Sequence, residues 1–289
     1  MENVDINIFR LVPEKKISKF KSNIIYGPII SKRSYHSLGI NLWPLGKVCS
    51  FKCKYCQCGK NSTKGAIIPL KQMEGEIKKG FKFNSKNNKF IQDILVEGNG
   101  EPTIYPYFNE ITNYVLELRN IYFPNIPVVL FTNSTTLGKK DIIDSILKYN
   151  QVFFKLDSAD RKIIKKMNGF DGSLDEIIEN LEKVKNLIET NKYPLKNFEI
   201  STAVVSSKEG NINSLYSNKF YKIIKSLNPQ KLYLYDIDRN IPNKINNYKA
   251  SFNEIKQLGR YIFDNTGIET IMLYSKSGRG IHELSKINL

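Results

Sequence analysis

The 289-residue sequence predicts a single large α/β domain built around a parallel sheet. Short apolar, β-branched runs alternate along the chain with segments whose apolar residues recur at the helical period. Each run is followed by a small or polar residue, so the pattern repeats as strand, loop and helix. The length is normal for an α/β barrel, and a chain of this size can bury a large core without disulfides.

Six runs have the composition of strands, which predicts six parallel strands joined by right-handed crossovers. Such a chain either curls into a full or partial barrel or lies open as a doubly wound sheet, and the pattern does not separate the two. The strand runs are residues 38–42, 91–96, 128–131, 152–156, 198–205 and 231–235. Helical faces are formed by Leu70, Met73 and Ile77, by Ile142, Ile143, Ile146 and Leu147, and by Leu174, Ile177, Ile178, Leu181, Val184 and Ile188, with two further helices at 216–227 and 252–262.

The predicted α/β domain covers residues 37–240 and leaves a segment on either side. Residues 1–36 form a basic extension with a predicted turn at "YGP" (26–28), and they are too few for a core of their own. Residues 241–289 should add a helix, one more strand within "IETIMLY" and a Gly-rich basic tail, all packed on the barrel.

The charge and the apolar content of the chain indicate which kind of partner and which cellular location we expect. The net charge is +16, and residues 1–64 hold 12 Lys/Arg against 3 Asp/Glu, which is +9 of that total. Such a surplus of positive charge favours an anionic partner such as nucleic acid. An AT-rich gene, whose codons favour lysine, would also raise the net charge. No stretch approaches about 18 uncharged apolar residues, and the first residues lack a signal-peptide core, so we expect a cytoplasmic protein that does not enter a membrane.

All four cysteines lie in "KVCSFKCKYCQCGK" (47–60), with the spacing C-x3-C-x2-C-x-C. A cluster this local cannot cross-link distant segments, and its thiols indicate a reducing compartment. A structural zinc site is one interpretation, but its ligands usually form two separated pairs. The spacing favours an iron–sulfur cluster held by Cys49, Cys53 and Cys56, with one iron open to another ligand and Cys58 as a bystander.

Polar residues follow the predicted strands at the edge where α/β folds build their active sites. Each has a structural alternative: "EGNGEPT" (97–103) contains a hairpin-forming Asn-Gly pair, and Asn133 and Asp157 could cap helices. The common placement of these residues favours a functional role. The strand ends carry Glu101, Thr132, Asn133, Lys155, Asp157, Ser201, Thr202, Tyr235 and Asp236.

The segment "CSFKCKYC", followed about forty residues later by "NGEP", resembles the signature of the radical S-adenosylmethionine (radical SAM) enzymes. The resemblance implies a partial (β/α)6 TIM-like barrel, a [4Fe-4S] cluster on Cys49, Cys53 and Cys56, and S-adenosylmethionine (AdoMet) bound to its open iron. It also implies that the cluster reduces AdoMet to a 5′-deoxyadenosyl radical, which abstracts hydrogen from a substrate. An electron donor such as flavodoxin or ferredoxin is then required.

The resemblance further implies a set of AdoMet contacts. Tyr55 is expected to touch the adenine, and Gly98, Gly100 and Glu101 to hold the methionine ammonium. Ribose and carboxylate contacts are expected from Asn133, Lys155, Asp157 and Ser201, although Lys155 stands where the family more often has Ser. The resemblance identifies no catalytic residue that acts on the substrate.

Within the family, "EGNGEPTIYP" and the residues leading to the cysteines resemble the branch of the tRNA wyosine-base synthases. That branch carries a second cluster on further cysteines, and residues 1–48 contain none. We therefore expect a single cluster and a substrate that is either RNA, favoured as tRNA and contacted by the basic segment 15–33, or a protein, peptide or small molecule. A non-catalytic iron–sulfur module is a third interpretation, which would leave Glu101 and the strand-end residues without a function.

Overall fold

An eight-stranded sheet forms the centre of the fold. The computed structural model describes residues 10–11, 24–29, 36–61, 66–87, 90–237 and 249–274. The strands that it contains are β1 (Arg10–Leu11), β2 (Ile25–Ile29), β3 (Ser37–Asn41), β4 (Ala66–Ile67), β5 (Asp93–Glu97), β6 (Val128–Thr132), β7 (Gln151–Lys155), β8 (Glu199–Ala203), β9 (Lys231–Tyr235) and β10 (Thr270–Leu273).

The order of strands in the main sheet is β2-β3-β5-β6-β7-β8-β9-β10. From β3 to β10 every neighbouring pair is parallel, whereas β2 runs antiparallel to β3 at one edge. The order follows the chain without the reversal that defines a doubly wound sheet, so right-handed crossovers place the helices on one side. Strands β1 and β4 pair separately.

The helices of the described residues cover one face of this sheet. They are amphipathic, and several begin at a serine whose hydroxyl accepts from the first turn, as at Ser173, Ser217 and Ser251. The helices are α1 (Leu70–Lys86), α2 (Phe108–Tyr122), α3 (Lys140–Ile146), α4 (Arg161–Ile163), α5 (Leu174–Glu189), α6 (Ile212–Leu215), α7 (Asn218–Leu227) and α8 (Phe252–Thr266), with a 3-10 turn at Pro102–Ile104 and a π-helical turn at Ile164–Asn168.

Side chains alternate between two buried layers, because successive residues of a strand point to opposite faces. The outer layer packs against the helices and forms the larger core. The inner layer includes Leu95, Val129, Phe153 and Tyr233, one from each of four strands. The rings of Phe153 and Tyr233 meet edge to face with centroids 4.9 Å apart. The fold is therefore a partial (β/α) barrel whose interior below the strand ends is filled by side chains.

The structure contains all six predicted parallel strands, and it also contains the additional C-terminal strand, β10. The predicted turn at "YGP" is wrong, because residues 26–28 lie within β2, which pairs with β3 across a bulge. The Tyr26 hydroxyl reaches across β3 to donate to Glu97 Oε1 at 2.6 Å, and this tertiary contact outweighs the local turn preference of Gly-Pro.

The proposed boundaries at residues 36 and 240 stay predictions, as does the basic tail, which lies outside the described residues. Residues Lys15, Lys16, Lys19, Lys21 and Arg33, on which the RNA contact was predicted, also lie outside them. Among the helices that the structure describes, none combines the length and apolarity needed to cross a bilayer.

Candidate active site

The cysteine loop, residues 47–60, follows strand β3 at the carboxyl end of the sheet. Cys49, Cys53 and Cys56 are partly buried, whereas Cys58 is exposed. A hydrogen bond joins the two ends of the loop: Lys47 Nζ donates to the carbonyl of Gly59 at 2.9 Å. The three cysteines with the C-x3-C-x2-C spacing therefore lie on one short, closed segment.

A second segment fixes the cysteine loop from outside. The backbone amides of Lys52 and Lys54 donate to the carbonyls of Asn168 and Met167 at 2.6 and 2.9 Å. The π-helical turn that ends at Asn168 is followed by Gly169 with φ of 60°, where a Cβ atom would lie 2.8 Å from Lys52 Cβ. Glycine is needed there both for the left-handed backbone and for the close approach of the two segments.

Side-chain and backbone N–H groups point at two of the three sulfurs. Asn168 Nδ2 lies 3.3 Å from Cys53 Sγ. Cys49 Sγ receives Asn133 Nδ2 at 3.5 Å and the backbone amide of Phe51 at 3.4 Å. Donors of this kind stabilise thiolates, which are the form that binds metal.

The sulfurs differ in acidity because their surroundings differ. Burial raises the pKa of Cys49 to about 12 and also raises the pKa of Cys53. A hydrogen bond from Cys58 lowers the pKa of Cys56 to about 5, with help from the nearby Lys47. The same contact raises the pKa of Cys58 above its ordinary value.

The donor set fits an iron–sulfur cluster. Three thiols on one loop suit a cluster in which each cysteine ligates a different iron, and such clusters are tuned by hydrogen bonds to their sulfurs. Among the residues that the structure describes, no three Cys, His, Asp or Glu side chains lie close enough to hold one metal ion together.

The carboxylate of Glu101 lies in a buried polar pocket beside the cysteine loop. Its Oε1 accepts from Thr103 Oγ1 at 2.6 Å and from Thr132 Oγ1 at 2.8 Å, and its Oε2 accepts from the backbone amide of Asn133 at 2.7 Å. Burial raises the pKa of Glu101, against the effect of these donors. A cation placed beside this carboxylate would favour its charged form.

Backbone contacts join the Glu101 loop to the cysteine loop. The amide of Glu101 donates to Val48 O at 2.9 Å, and Trp43 Nε1 donates to Glu101 O at 2.9 Å. Gly100 lies so close that a Cβ atom there would be 1.9 Å from Val48 O. Gly98, at φ of 139°, lies against Asn41 at the end of β3. The close approach that these glycines permit is therefore made to the protein itself.

Asp157 is the centre of a buried polar network after strand β7. Its Oδ1 accepts from Lys155 Nζ and from the backbone amide of Ala203, both at 2.9 Å. Its Oδ2 accepts from Asn168 Nδ2 at 2.7 Å and from the hydroxyl of Tyr55. The Asp157 side chain has no solvent exposure, so protein donors surround the charge that it carries.

Lys155 joins this network to the mouth of the barrel. Its Nζ donates to Tyr235 OH at 2.8 Å and lies 5.2 and 5.4 Å from the ring centroids of Tyr55 and Tyr235. Burial alone would lower the pKa of Lys155, but Asp157 and Tyr235 outweigh it and raise that pKa. Lys155 is therefore a partly buried cation at neutral pH. The strand register places Ser201 beside it on β8.

The structure brings the predicted site residues to one end of the sheet, and it does not support the structural alternatives. The Asn-Gly segment leads into the 3-10 turn at Pro102–Ile104, so it forms no hairpin. The N-caps of α3 and α4 are Lys139 and Asp160, so neither Asn133 nor Asp157 is a helix cap. The cofactor contacts assigned to the individual residues stay predictions.

One residue of this network, Asn168, was not predicted from the sequence. Tyr235, which ends strand β9, was among the predicted strand-end residues but was assigned no cofactor contact. Asn168 lies in an irregular π-helical turn between α4 and α5, where no periodicity or motif marks it. Only the tertiary contacts of Asn168 reveal its place beside Cys53.

Comparison with known protein families matches this chain to the Radical SAM superfamily. The sequence pattern of the Radical SAM superfamily matches residues 43–196, which is more than half of the 289-residue chain. The matched region begins just before the cysteine loop and includes the Glu101 and Asp157 segments.

Two curated relatives illustrate how far the likeness extends. A protein named GTPase Obg from Brachyspira hyodysenteriae is 29% identical over 88% of this chain and 36% of its own length. A UPF0026 protein of Methanocaldococcus jannaschii is 30% identical over 73% of this chain and 62% of its own length. The chain thus spans about a third of the length of the first relative and just under two thirds of the length of the second.

Among solved structures, TYW1 with a lysine-pyruvate adduct bound resembles this chain with a TM-score of 0.53. The likeness covers 80% of this chain and 74% of that protein, at 15% sequence identity. At this level of identity the comparison supports the common fold alone.

Proposed function

Because this chain belongs to the radical SAM superfamily, we propose that it abstracts hydrogen from a substrate with the help of AdoMet and one [4Fe-4S] cluster, and that the substrate is RNA, most directly tRNA. When bound, the cluster would supply the electron that cleaves AdoMet to methionine and the 5′-deoxyadenosyl radical. The residues of the protein bind, orient and shield the reacting groups.

The observation that carries this proposal is the direct attachment of the cysteine loop to the Glu101 loop. The Glu101–Val48 bond holds the two loops together, and Gly100 allows their contact. A ligand that binds at the open iron is therefore within reach of a buried carboxylate. AdoMet has the matching chemistry, since its amino group is a cation and charge-assisted hydrogen bonds to carboxylates are strong.

The Asp157 network supports the rest of the AdoMet site. We assign Tyr55 to the adenine, because its hydroxyl is fixed by Asp157 and its ring borders the Lys155 ammonium. We assign Lys155 and Ser201 to the methionine carboxylate and ribose, as a cation and a hydroxyl at adjacent strand ends. Asp157 orients Tyr55 and Lys155, since its own oxygens are taken up by protein donors.

The case for RNA rests on the distribution of charge. Residues 1–64 hold 12 Lys/Arg against 3 Asp/Glu, and this segment contains the cysteine loop. A polyanion would be attracted to it, with an affinity that falls as salt rises. Modification of a protein, peptide or small molecule is the alternative, and it predicts no such salt dependence for substrate binding.

The electron must come from outside the chain. We propose a small cytoplasmic electron carrier such as flavodoxin or ferredoxin, since the four cysteines provide for one cluster only. A cytoplasmic location agrees with clustered cysteines, which need a reducing compartment to remain thiols.

The proposal is tested by following 5′-deoxyadenosine. Enzyme with a reconstituted cluster, reduced with dithionite, is incubated with AdoMet and either bulk tRNA, a protein fraction or buffer. We expect tRNA to raise 5′-deoxyadenosine formation above the rate in buffer and to bind with a log affinity that falls linearly with log salt, by about 0.7 to 0.9 per phosphate contact.

Charge reversal of Lys15, Lys16, Lys19 and Lys21 should flatten that salt dependence. The matched control reverses four exposed lysines on helices, Lys219, Lys222 and Lys225 on α7 and Lys256 on α8. No 5′-deoxyadenosine in any mixture would contradict the radical chemistry. Formation that responds to the protein fraction but not to tRNA would contradict the RNA substrate alone.

A further inference from the structure

We infer that Asn168 is a positioning residue of the reaction centre: its side-chain N–H group binds the Cys53 sulfur and raises the reduction potential of the cluster. This inference rests on the proposed function, because it requires a cluster on the three cysteines. It adds a residue outside both the cysteine motif and the predicted AdoMet contacts.

The first observation is the contact itself. Asn168 Nδ2 lies 3.3 Å from Cys53 Sγ, which is a hydrogen-bonding distance for a sulfur acceptor. Asn168 has no solvent exposure, so water does not compete for the bond. Hydrogen bonds in such surroundings are electrostatically stronger than in water.

The second observation fixes which atom of the amide faces the sulfur. Nδ2 also lies 2.7 Å from Asp157 Oδ2. Exchanging the nitrogen and oxygen of the amide would place two acceptors against each other at that distance. Asp157 is held in place by Lys155 and by the amide of Ala203. One N–H of Asn168 therefore binds Asp157, and the other faces Cys53 Sγ at 3.3 Å and the Tyr55 hydroxyl oxygen at 3.2 Å.

The third observation concerns the amide oxygen of Asn168, which this orientation leaves without a hydrogen bond. Asn168 Oδ1 is buried and accepts no hydrogen bond from the residues that the structure describes. An unsatisfied buried acceptor is unfavourable, and such groups are uncommon in folded proteins. Orientation of the N–H groups toward Asp157 and Cys53 therefore takes precedence over satisfaction of the oxygen.

The backbone of Asn168 holds the same loop from its other side. Its carbonyl accepts the amide of Lys52, and the preceding carbonyl of Met167 accepts the amide of Lys54. These bonds bracket Cys53 and do not involve the Asn168 side chain. A substitution that removes the amide can therefore leave the loop in place.

The expected effect follows from charge. Reduction adds one electron to the cluster and its thiolates, so an N–H donor to sulfur binds the reduced form more strongly than the oxidised form. Hydrogen bonds to the sulfurs are among the factors that set iron–sulfur potentials. Asn168 should therefore favour reduction, which is the step that starts AdoMet cleavage.

The experiment is a potentiometric titration of the reconstituted protein, followed by the EPR signal of the reduced cluster. Wild type is compared with Asn168→Leu, with Asn168→Ser as a smaller replacement, and with Asn180→Leu, which removes a buried amide from α5. We expect normal iron content and a reduction equilibrium about tenfold less favourable in both Asn168 variants, equal to about 59 mV for one electron. Asn180→Leu should keep the wild-type potential.

A second readout uses the wild type itself. The N–H···S bond predicts an exchangeable proton coupled to the reduced cluster, which ENDOR spectroscopy in H₂O and D₂O detects and which Asn168→Leu should lose. Absence of that difference between wild type and variant, or an unchanged potential in a variant that retains its iron, would overturn the inference and leave the proposed function standing. A wild type that binds no cluster would overturn both.

Discussion

The backbone amide of Glu101 donates a 2.9 Å hydrogen bond to the carbonyl of Val48, one residue before Cys49. This bond connects the loop that follows β5 to the loop that carries the cysteines. It places a buried carboxylate and a set of thiols in a fixed relationship before any ligand binds. The backbone therefore preorganises the site, because this bond fixes the positions from which the side chains of both loops extend.

The contact at Gly100 should be sensitive to a single methyl group. A Cβ atom at Gly100 would lie 1.9 Å from Val48 O, so Gly100→Ala must push the two loops apart. We expect a loss of about 1–3 kcal/mol in the free energy of unfolding and weaker AdoMet binding. Gly75→Ala on α1 is the matched control, since nothing lies within 4 Å of its added Cβ, and it should stabilise by about 0.5–1 kcal/mol. Equal effects of the two substitutions in urea denaturation would contradict this account.

Replacement of Glu101 by glutamine should weaken AdoMet binding. The variant keeps the size of the side chain and removes the charge that we propose pairs with the ammonium. Loss of that contact should cost about 1.5–3 kcal/mol, or roughly tenfold to a hundredfold in affinity. Isothermal titration of the reconstituted protein measures it. Glu76→Gln, which removes a carboxylate paired with Lys79 at 2.7 Å on helix α1, should keep its affinity. Equal affinities of wild type and Glu101→Gln would rule out the ammonium contact.

Removal of Lys155 alone from its ion pair with Asp157 should lower the free energy of unfolding. Lys155→Met leaves the Asp157 carboxylate, which has no solvent exposure, without its cation. Removing one partner of a buried ion pair typically destabilises by about 3–5 kcal/mol. Denaturant unfolding should show this loss, and addition of Asp157→Asn should recover part of it. The exposed Lys140, paired with Asp144, provides a control in which Lys140→Met changes stability little.

The acidic residue at the other end of the barrel predicts a pH dependence. Burial raises the pKa of Glu199 above its ordinary value of 4.5, although Gln151 donates to it at 2.6 Å. The folded state therefore binds more protons than the unfolded state as pH rises above 4.5, so the contribution of Glu199 to stability is present below that pH and is lost above it.

The stability of wild type relative to Glu199→Gln should accordingly fall with rising pH, by at most about 1.4 kcal/mol per pH unit. Chemical denaturation of both proteins between pH 4 and pH 8 measures the difference. A difference that stays constant, or that grows with pH, would show that burial does not control this carboxyl group.

The parts of the fold that could be predicted from sequence are those where local pattern and tertiary structure agree. The strands from β5 to β9 are apolar runs closed by polar residues, and they lie within two residues of the predicted bounds. Strand β2 could not be predicted, because its Gly-Pro pair favours a turn and its pairing with β3 depends on distant contacts such as Tyr26 with Glu97.

Some residues of the candidate site could likewise be predicted from sequence, and others could not. Residues in motifs and at strand ends, such as Cys49, Glu101 and Asp157, could be predicted, because parallel strands deliver their carboxyl ends to one edge. Asn168 could not, because its role depends on a π-helical turn that brings it to Cys53 from 115 positions away in the chain. The hydrogen-bonding environment of a cysteine sulfur is a tertiary property, which no spacing of residues encodes.

The identity of the cluster ligands tests the central claim most directly. After anaerobic reconstitution we expect about four irons per wild-type chain and 5′-deoxyadenosine formation that requires AdoMet and reductant. Cys49→Ala, Cys53→Ala and Cys56→Ala should each abolish both, whereas Cys58→Ala, which replaces the exposed fourth cysteine, should retain both. A chain in which Cys58→Ala loses the cluster as fully as the other three, or in which a Cys53→Ala protein still forms 5′-deoxyadenosine, would contradict the account.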